Sequence, residues 1–128
     1  MEQKDKELLL QDLCARLPYG VKIQYDIYGI QDLSIHELNA YIKGIKNIKP
    51  YLRPMSSMPE EESEFLNKMA LENSLKCIEE EDPQKVFSLR IKHDVEELAY
   101  LYKHHYDVFG LIPKDLALST ETYNPYKD

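Results

Sequence analysis

His93, His104 and His105, with Asp94 and Asp107 nearby, form the densest group of metal-ligating residue types in this 128-residue chain. Three imidazoles and a carboxylate could hold a divalent ion and activate water, which would make a metal-dependent hydrolase of His93, His104, His105 and Asp107. The spacing argues against it. Two histidines on one helix meet a common ion at i, i+3 or i, i+4, and adjacent ones such as His104 and His105 diverge by ~100°. A simpler account has His105 either pack or cap the helix end, where a partly cationic imidazole suits the dipole, and uses Asp107 to hold the turn before Gly110 by a side-chain bond to backbone.

A second group could bind nucleic acid. Between Tyr41 and Arg53 the chain carries Lys43, Lys46, Lys49 and Arg53 with no acidic residue, and Tyr41 and Tyr51 are interleaved. Cations neutralise phosphates while aromatic rings stack on bases. Against this, Ile42, Ile45, Ile48 and Leu52 alternate with the cations as a core pattern would. The formal net charge of −7 also opposes approach to a polyanion.

That charge is concentrated. Residues 55–82 hold nine acidic and two basic side chains, which accounts for an excess equal to the whole net charge. Glu60, Glu61, Glu62 and Glu64 could present a negative face to a partner protein, or simply be the solvated start of a helix. Ser56 and Ser57 sit in no nucleophile motif and suit helix capping. Glycines at 20, 29, 44 and 110 are isolated, so no phosphate-cradling loop exists and no cofactor is expected. Cys14 and Cys77 read as two buried, reduced thiols. This inventory leans away from an enzyme.

The elements that must position these groups follow from periodicity. Leu9, Leu10, Leu13 and Leu17 recur at helical spacing, predicting a helix over 5–16 that Pro18 stops. Val21, Ile23, Tyr25 and Ile27 alternate, predicting a strand over 21–28. Ser34 and Glu37 have capping-box spacing before a short helix over 35–43, although that segment also suits a strand. A strand over 48–52 follows, confined to an edge or to a short length by Pro50 and Pro54. Ser57, Pro59 and three glutamates open a helix that fades near Asn73. Leu75 to Glu81 and Val86 to Ile91 flank a break at Glu81-Asp82-Pro83 and read as a hairpin. A last helix opens at His93. The predicted class is a single α+β domain over 1–118: a small, mainly antiparallel sheet, built around Val21–Tyr28 and the Ile48 and Val86 regions, with an N-terminal helix and two later helices. Residues 119–128 form a polar, flexible tail.

Three strings carry a resemblance: LLLQDLCARLPYGVKI (Leu8 to Ile23), IKPYLRPMSSMPEEE (Ile48 to Glu62) and KHHYDVFGLIPKDLALS (Lys103 to Ser119). In this order they resemble a family of small uncharacterised proteins encoded by gut bacteria and their phages or mobile elements. Two positions depart from the family pattern: Pro59 stands where threonine usually precedes the glutamates, and Val108-Phe109 where Tyr-Arg is common. The resemblance implies a setting and a fold, and no chemistry. The leading expectation is a non-enzymatic interaction or regulatory protein with a protein partner. It is cytoplasmic, because the N-terminus lacks an export pattern and the apolar runs fall far short of the ~20 residues that cross a bilayer. Nucleic-acid binding through residues 43–53 comes next, and the metal-dependent hydrolase after it.

Overall fold

Gln3–Arg16 forms helix α1, whose inner stripe buries Leu9 and Leu13 completely, and the turn that follows closes when Gly20, in a left-handed conformation, donates to Arg16 O. The computed structural model describes residues 2–127. Among them the chain is a mixed α+β protein of four α-helices and one four-stranded sheet. It falls into two compact units, Met1–Met55 with Tyr102–Asp128, and Ser56–Leu101.

In the first unit, β1 (Lys22–Tyr25) turns at Asp26 and Gly29, both with positive φ, into β2 (Ile30–Asp32). One long strand over 21–28 is therefore corrected to a hairpin. The alternation buries Val21, Ile23 and Tyr25 as expected, but Ile27 is 87% exposed because the chain has already left the sheet. Helix α2 (Ile35–Ile42) settles the ambiguous segment as helix, with the capping box in place: the Ser34 N–H and hydroxyl both bond Glu37 Oε2. Strand β3 (Ile48–Leu52) pairs antiparallel with β1, and β4 (Leu118–Ser119) pairs parallel with β3, giving the order β2-β1-β3-β4.

Strand β3 is thus internal and not an edge, and of the two expectations for it the short length holds, at five residues. Pro50 is tolerated because β4 pairs only with Tyr51 and Leu52, beyond the residue that lacks an N–H. The core gathers Leu9, Leu13, Ile23, Ile48, Leu52 and Leu111 around one sheet face and α1. Cys14 is exposed, against the expectation of a buried thiol, because it lies one position past Leu13 and off the α1 stripe; Cys77 is half-buried.

The C-terminal residues carry tertiary ties as well as polar side chains. Tyr126 packs against the core, donates its hydroxyl to Tyr51 O (2.7 Å) and accepts from Lys22 N (2.9 Å).

The second unit departs most from the sequence reading. Helix α3 spans Glu60–Glu79, after a 3₁₀ turn at Met55–Ser57, and helix α4 runs from Pro83 to Lys103. The strands expected at 75–81 and 86–91, and the Val86 part of the sheet, are all helix. Glu81-Asp82-Pro83 is a helix-to-helix turn. Asp82 Oδ1 accepts from Gln84 N (3.0 Å), and Pro83 enters the first turn, where its missing N–H costs nothing. Among the described residues no helix is long and apolar enough to cross a membrane.

Candidate functional site

The groups proposed from sequence can be followed one by one. His93 lies in the α3–α4 hairpin, with Nδ1 2.8 Å from Asn73 Nδ2 and Nε2 3.3 Å from Glu97 Oε1. Asp107 lies in the first unit with both carboxylate oxygens engaged, accepting from Leu111 N (2.8 Å) and Ile112 N (3.0 Å). It holds the turn before Gly110, as the simpler reading expects. His105 stacks flat on Tyr126, ring centroids 3.8 Å apart, and adopts a left-handed backbone. Burial, with help from Arg16, His104 and Arg53, pushes its imidazole down to about 4, so of the two simple readings it follows the first, packing as a neutral ring, and is not a partly charged cap. His104 contributes its carbonyl oxygen to Arg53 Nη1 (3.3 Å). Among the described residues no three His, Cys, Asp or Glu side chains group to hold a metal ion. The four-residue metal set is corrected on that geometry: Asp107 is already spent on two backbone N–H groups.

Lys46, Lys49 and Arg53 of the basic strip each lie against a different neighbour. Lys46 lies over the Tyr28 ring, 4.6 Å from its centroid, and donates to its hydroxyl (3.2 Å). Lys49 pairs with Asp115 (3.0 Å), and the Arg53 guanidinium lies 4.2 Å from the Tyr106 ring centroid. Tyr51 is buried in the sheet, edge-on to Tyr123, with its hydroxyl donating to Gln24 Oε1 (3.3 Å), so no base can stack on it. Tyr41 is half-buried, and Lys43, at the C-cap of α2, is exposed.

Of the acidic set, Glu60, Glu61 and Glu64 are exposed on the first turns of α3. Glu62 is half-buried and accepts from the Tyr100 hydroxyl (3.4 Å). They form a solvated helix start that favours the positive end of the α3 dipole.

The strongest feature is one the sequence reading missed. Helix α3 contains no buried residue, and the only buried residue of α4 is Tyr102. The hairpin's seam is mixed: half-buried Leu66, Met69, Ala70 and Cys77 of α3 and Val86 and Leu89 of α4 share it with polar contacts, Glu62 with Tyr100 and Asn73 with His93 and so with Glu97, beside the Phe65–Tyr100 ring contact at 5.3 Å. The outer faces are apolar. Leu71, Leu75 and Ile78 recur on α3, and Phe87, Ile91, Val95 and Leu98 recur on α4, each set within ~80° of arc at ~100° per residue. Together with Phe65 they are exposed by 39% (Leu98) to 78% (Ile78). A lone exposed leucine needs no explanation, but contiguous apolar stripes rimmed by charge mark contact surfaces. The i, i+4 spacing was legible in the sequence and was masked by the Pro83 break, which invited a strand reading on either side.

Comparison of the chain with protein-family models, with curated proteins and with solved structures finds no match.

Proposed function

We propose that this chain is a non-enzymatic protein-interaction factor, of phage or mobile-element origin as its sequence strings suggest, and that its contact surface is the outer face of the α3–α4 hairpin. One observation carries the reading: on two helices of 20 and 21 residues, seven large apolar side chains recur in two stripes, Leu71, Leu75 and Ile78 on α3 and Phe87, Ile91, Val95 and Leu98 on α4, and all seven are exposed to solvent. Each stripe lies on the side of its helix away from the seam, so the two are separate apolar strips, each smaller than the ~800 Å² that one partner gives to a standard interface. The reading moves the contact from the glutamates at the α3 start to the stripes beside them, with the acidic residues as rim.

The test is site-specific photo-crosslinking in cells that express the full chain. A photoreactive residue in place of Ile78 or Ile91 is expected to give discrete protein adducts, whereas one in place of Lys43 gives none. Absence of adducts from both stripes overturns the reading.

A further inference from the structure

We infer that the α4 stripe binds a second copy of this chain, helix against helix and antiparallel, about a two-fold axis between Lys92 and His93; this deepens the reading of the hairpin as a contact surface and rests on it. The charges of α4 are segregated. Residues 83–92 carry Lys85, Arg90 and Lys92 with no acid, and residues 93–102 carry Asp94, Glu96 and Glu97 with no lysine or arginine. This order opposes the helix dipole, which favours acids near the N-terminus and bases near the C-terminus, so α4 alone gains nothing from it. A parallel copy would set base on base and acid on acid. An antiparallel copy sets each basic half against an acidic half.

The apolar positions obey the same symmetry. With the axis between Lys92 and His93, Phe87 is level with Leu98 of the partner subunit, and Ile91 lies within one residue of Val95 of the partner subunit. Arg90 and Asp94 lie on the same flank of the stripe, ~40° apart around the helix. Antiparallel packing brings like flanks together, so Arg90 faces the partner's Asp94 and the reciprocal contact forms by symmetry. A 21-residue helix is about 30 Å long, and two such stripes with their flanks bury on the order of 1,000 Å² in total, the lower bound for a specific interface. That area fits a reversible dimer in the micromolar range.

The experiment is light scattering with size-exclusion chromatography of the full chain over the micromolar range. The native chain is expected to move from monomer to dimer as its concentration rises. Ile91→Lys with Val95→Lys is expected to weaken the dimer by roughly a hundredfold, since it buries unpaired charge, while circular dichroism keeps the native helix content. Arg90→Asp makes positions 90 and 94 both acidic, and Asp94→Arg makes both basic. Each variant alone is expected to lose about fivefold to twentyfold in self-association. Mixed one to one, they form a heterodimer of near-native strength, although neither retains an Arg90–Asp94 pair within its own helix. A native chain that stays monomeric, or a mixture that fails to associate, overturns the proposal. If stripe crosslinks in cells then lead to a different protein, the contact surface stands and only the identity of its partner falls.

Discussion

Arg16 and Tyr106 stand 90 positions apart and are joined by a hydrogen bond from Arg16 Nη2 to Tyr106 O at 2.5 Å. The guanidinium is fully buried, pairs through Nε with Asp12 Oδ2 (2.7 Å), and lies 4.9 Å from the Tyr102 ring centroid. One side chain thus ties α1 to the segment that follows α4. Asp12 Oδ1 and Arg16 Nη1 are buried without a hydrogen-bond partner among the described residues, so the pair carries an uncompensated desolvation cost.

Removing one member should therefore cost more than removing both. Arg16→Met leaves a buried carboxylate alone and is expected to lower unfolding free energy by about 3–5 kcal/mol in urea titrations, whereas Asp12→Leu with Arg16→Met recovers most of the loss. The single variant also gains a pH signature. Burial already holds the Asp12 carboxyl above its usual range, with Arg16 opposing the rise and Asp107 adding to it. Without Arg16 it rises further. A raised folded pKa gives stability that is present at low pH and lost as pH climbs through the folded value, so the Arg16→Met deficit should be smaller at mildly acidic pH than at neutrality. A deficit that grows on acidification contradicts the assignment.

His105 predicts the opposite slope. Its folded pKa is about 4 against an ordinary 6.5, so its contribution is complete above the unfolded value and is lost as pH falls through the folded one. His105→Phe keeps a flat ring against Tyr126 but cannot charge. The stability advantage of the native chain over this variant should shrink from neutral pH down to pH 4, by about 1–2 kcal/mol once solvent screening of the partly exposed ring is allowed for, read from urea midpoints across that window. A difference that does not vary with pH would mean that His105 is not held neutral by burial.

Tyr126 predicts that the C-terminal residues stabilise the sheet. Tyr126→Phe deletes the bond it donates to Tyr51 O and the one it accepts from Lys22 N. Two backbone groups are then left under a ring, at an expected cost of about 1–3 kcal/mol. Ending the chain at Leu118 removes this ring together with Ser119 of β4, and should cost more than Tyr126→Phe in a thermal melt. Equal melting temperatures for the native and shortened chains would show residues 119–128 to be a passive tail.

Much of the first unit was legible in the sequence because local signals and burial agree there. The leucine stripe of α1, the Ser34–Glu37 cap, the turn role of Asp107 and the inward set Val21, Ile23 and Tyr25 all follow from spacing. The misses share one cause: a pattern read past the residue that ends it. Alternation through Ile27 hid the turn that Asp26 and Gly29 make. The Pro83 break reads as a hairpin turn because proline fits the first turn of a helix as readily as a loop. The position of Pro50 inside the sheet depended on where β4 pairs, which no local rule contains. The apolar stripes were present at helical spacing, but only once 60–79 and 83–103 are single helices do they fall outside the hairpin.

The dispersal of the basic strip carries the last prediction. A surface that binds nucleic acid owes its affinity to several cations released together from their counterions, and its log K falls with log salt in proportion to their number. Here Lys46 lies on Tyr28, Lys49 is paired with Asp115, Arg53 is engaged with Tyr106 and the His104 carbonyl, and Tyr51 is buried. Each contact holds its cation to a different neighbour, and the only ring at the centre of the strip has no open face. Fluorescence anisotropy with single- and double-stranded probes is expected to show no saturable, salt-sensitive binding at low ionic strength. Lys49→Ala should change stability by less than about 1 kcal/mol, because its pair with Asp115 is solvent-exposed. Saturable binding whose salt slope falls by about one on Lys49→Ala would show that these cations act together on a phosphate backbone, and would restore the nucleic-acid reading.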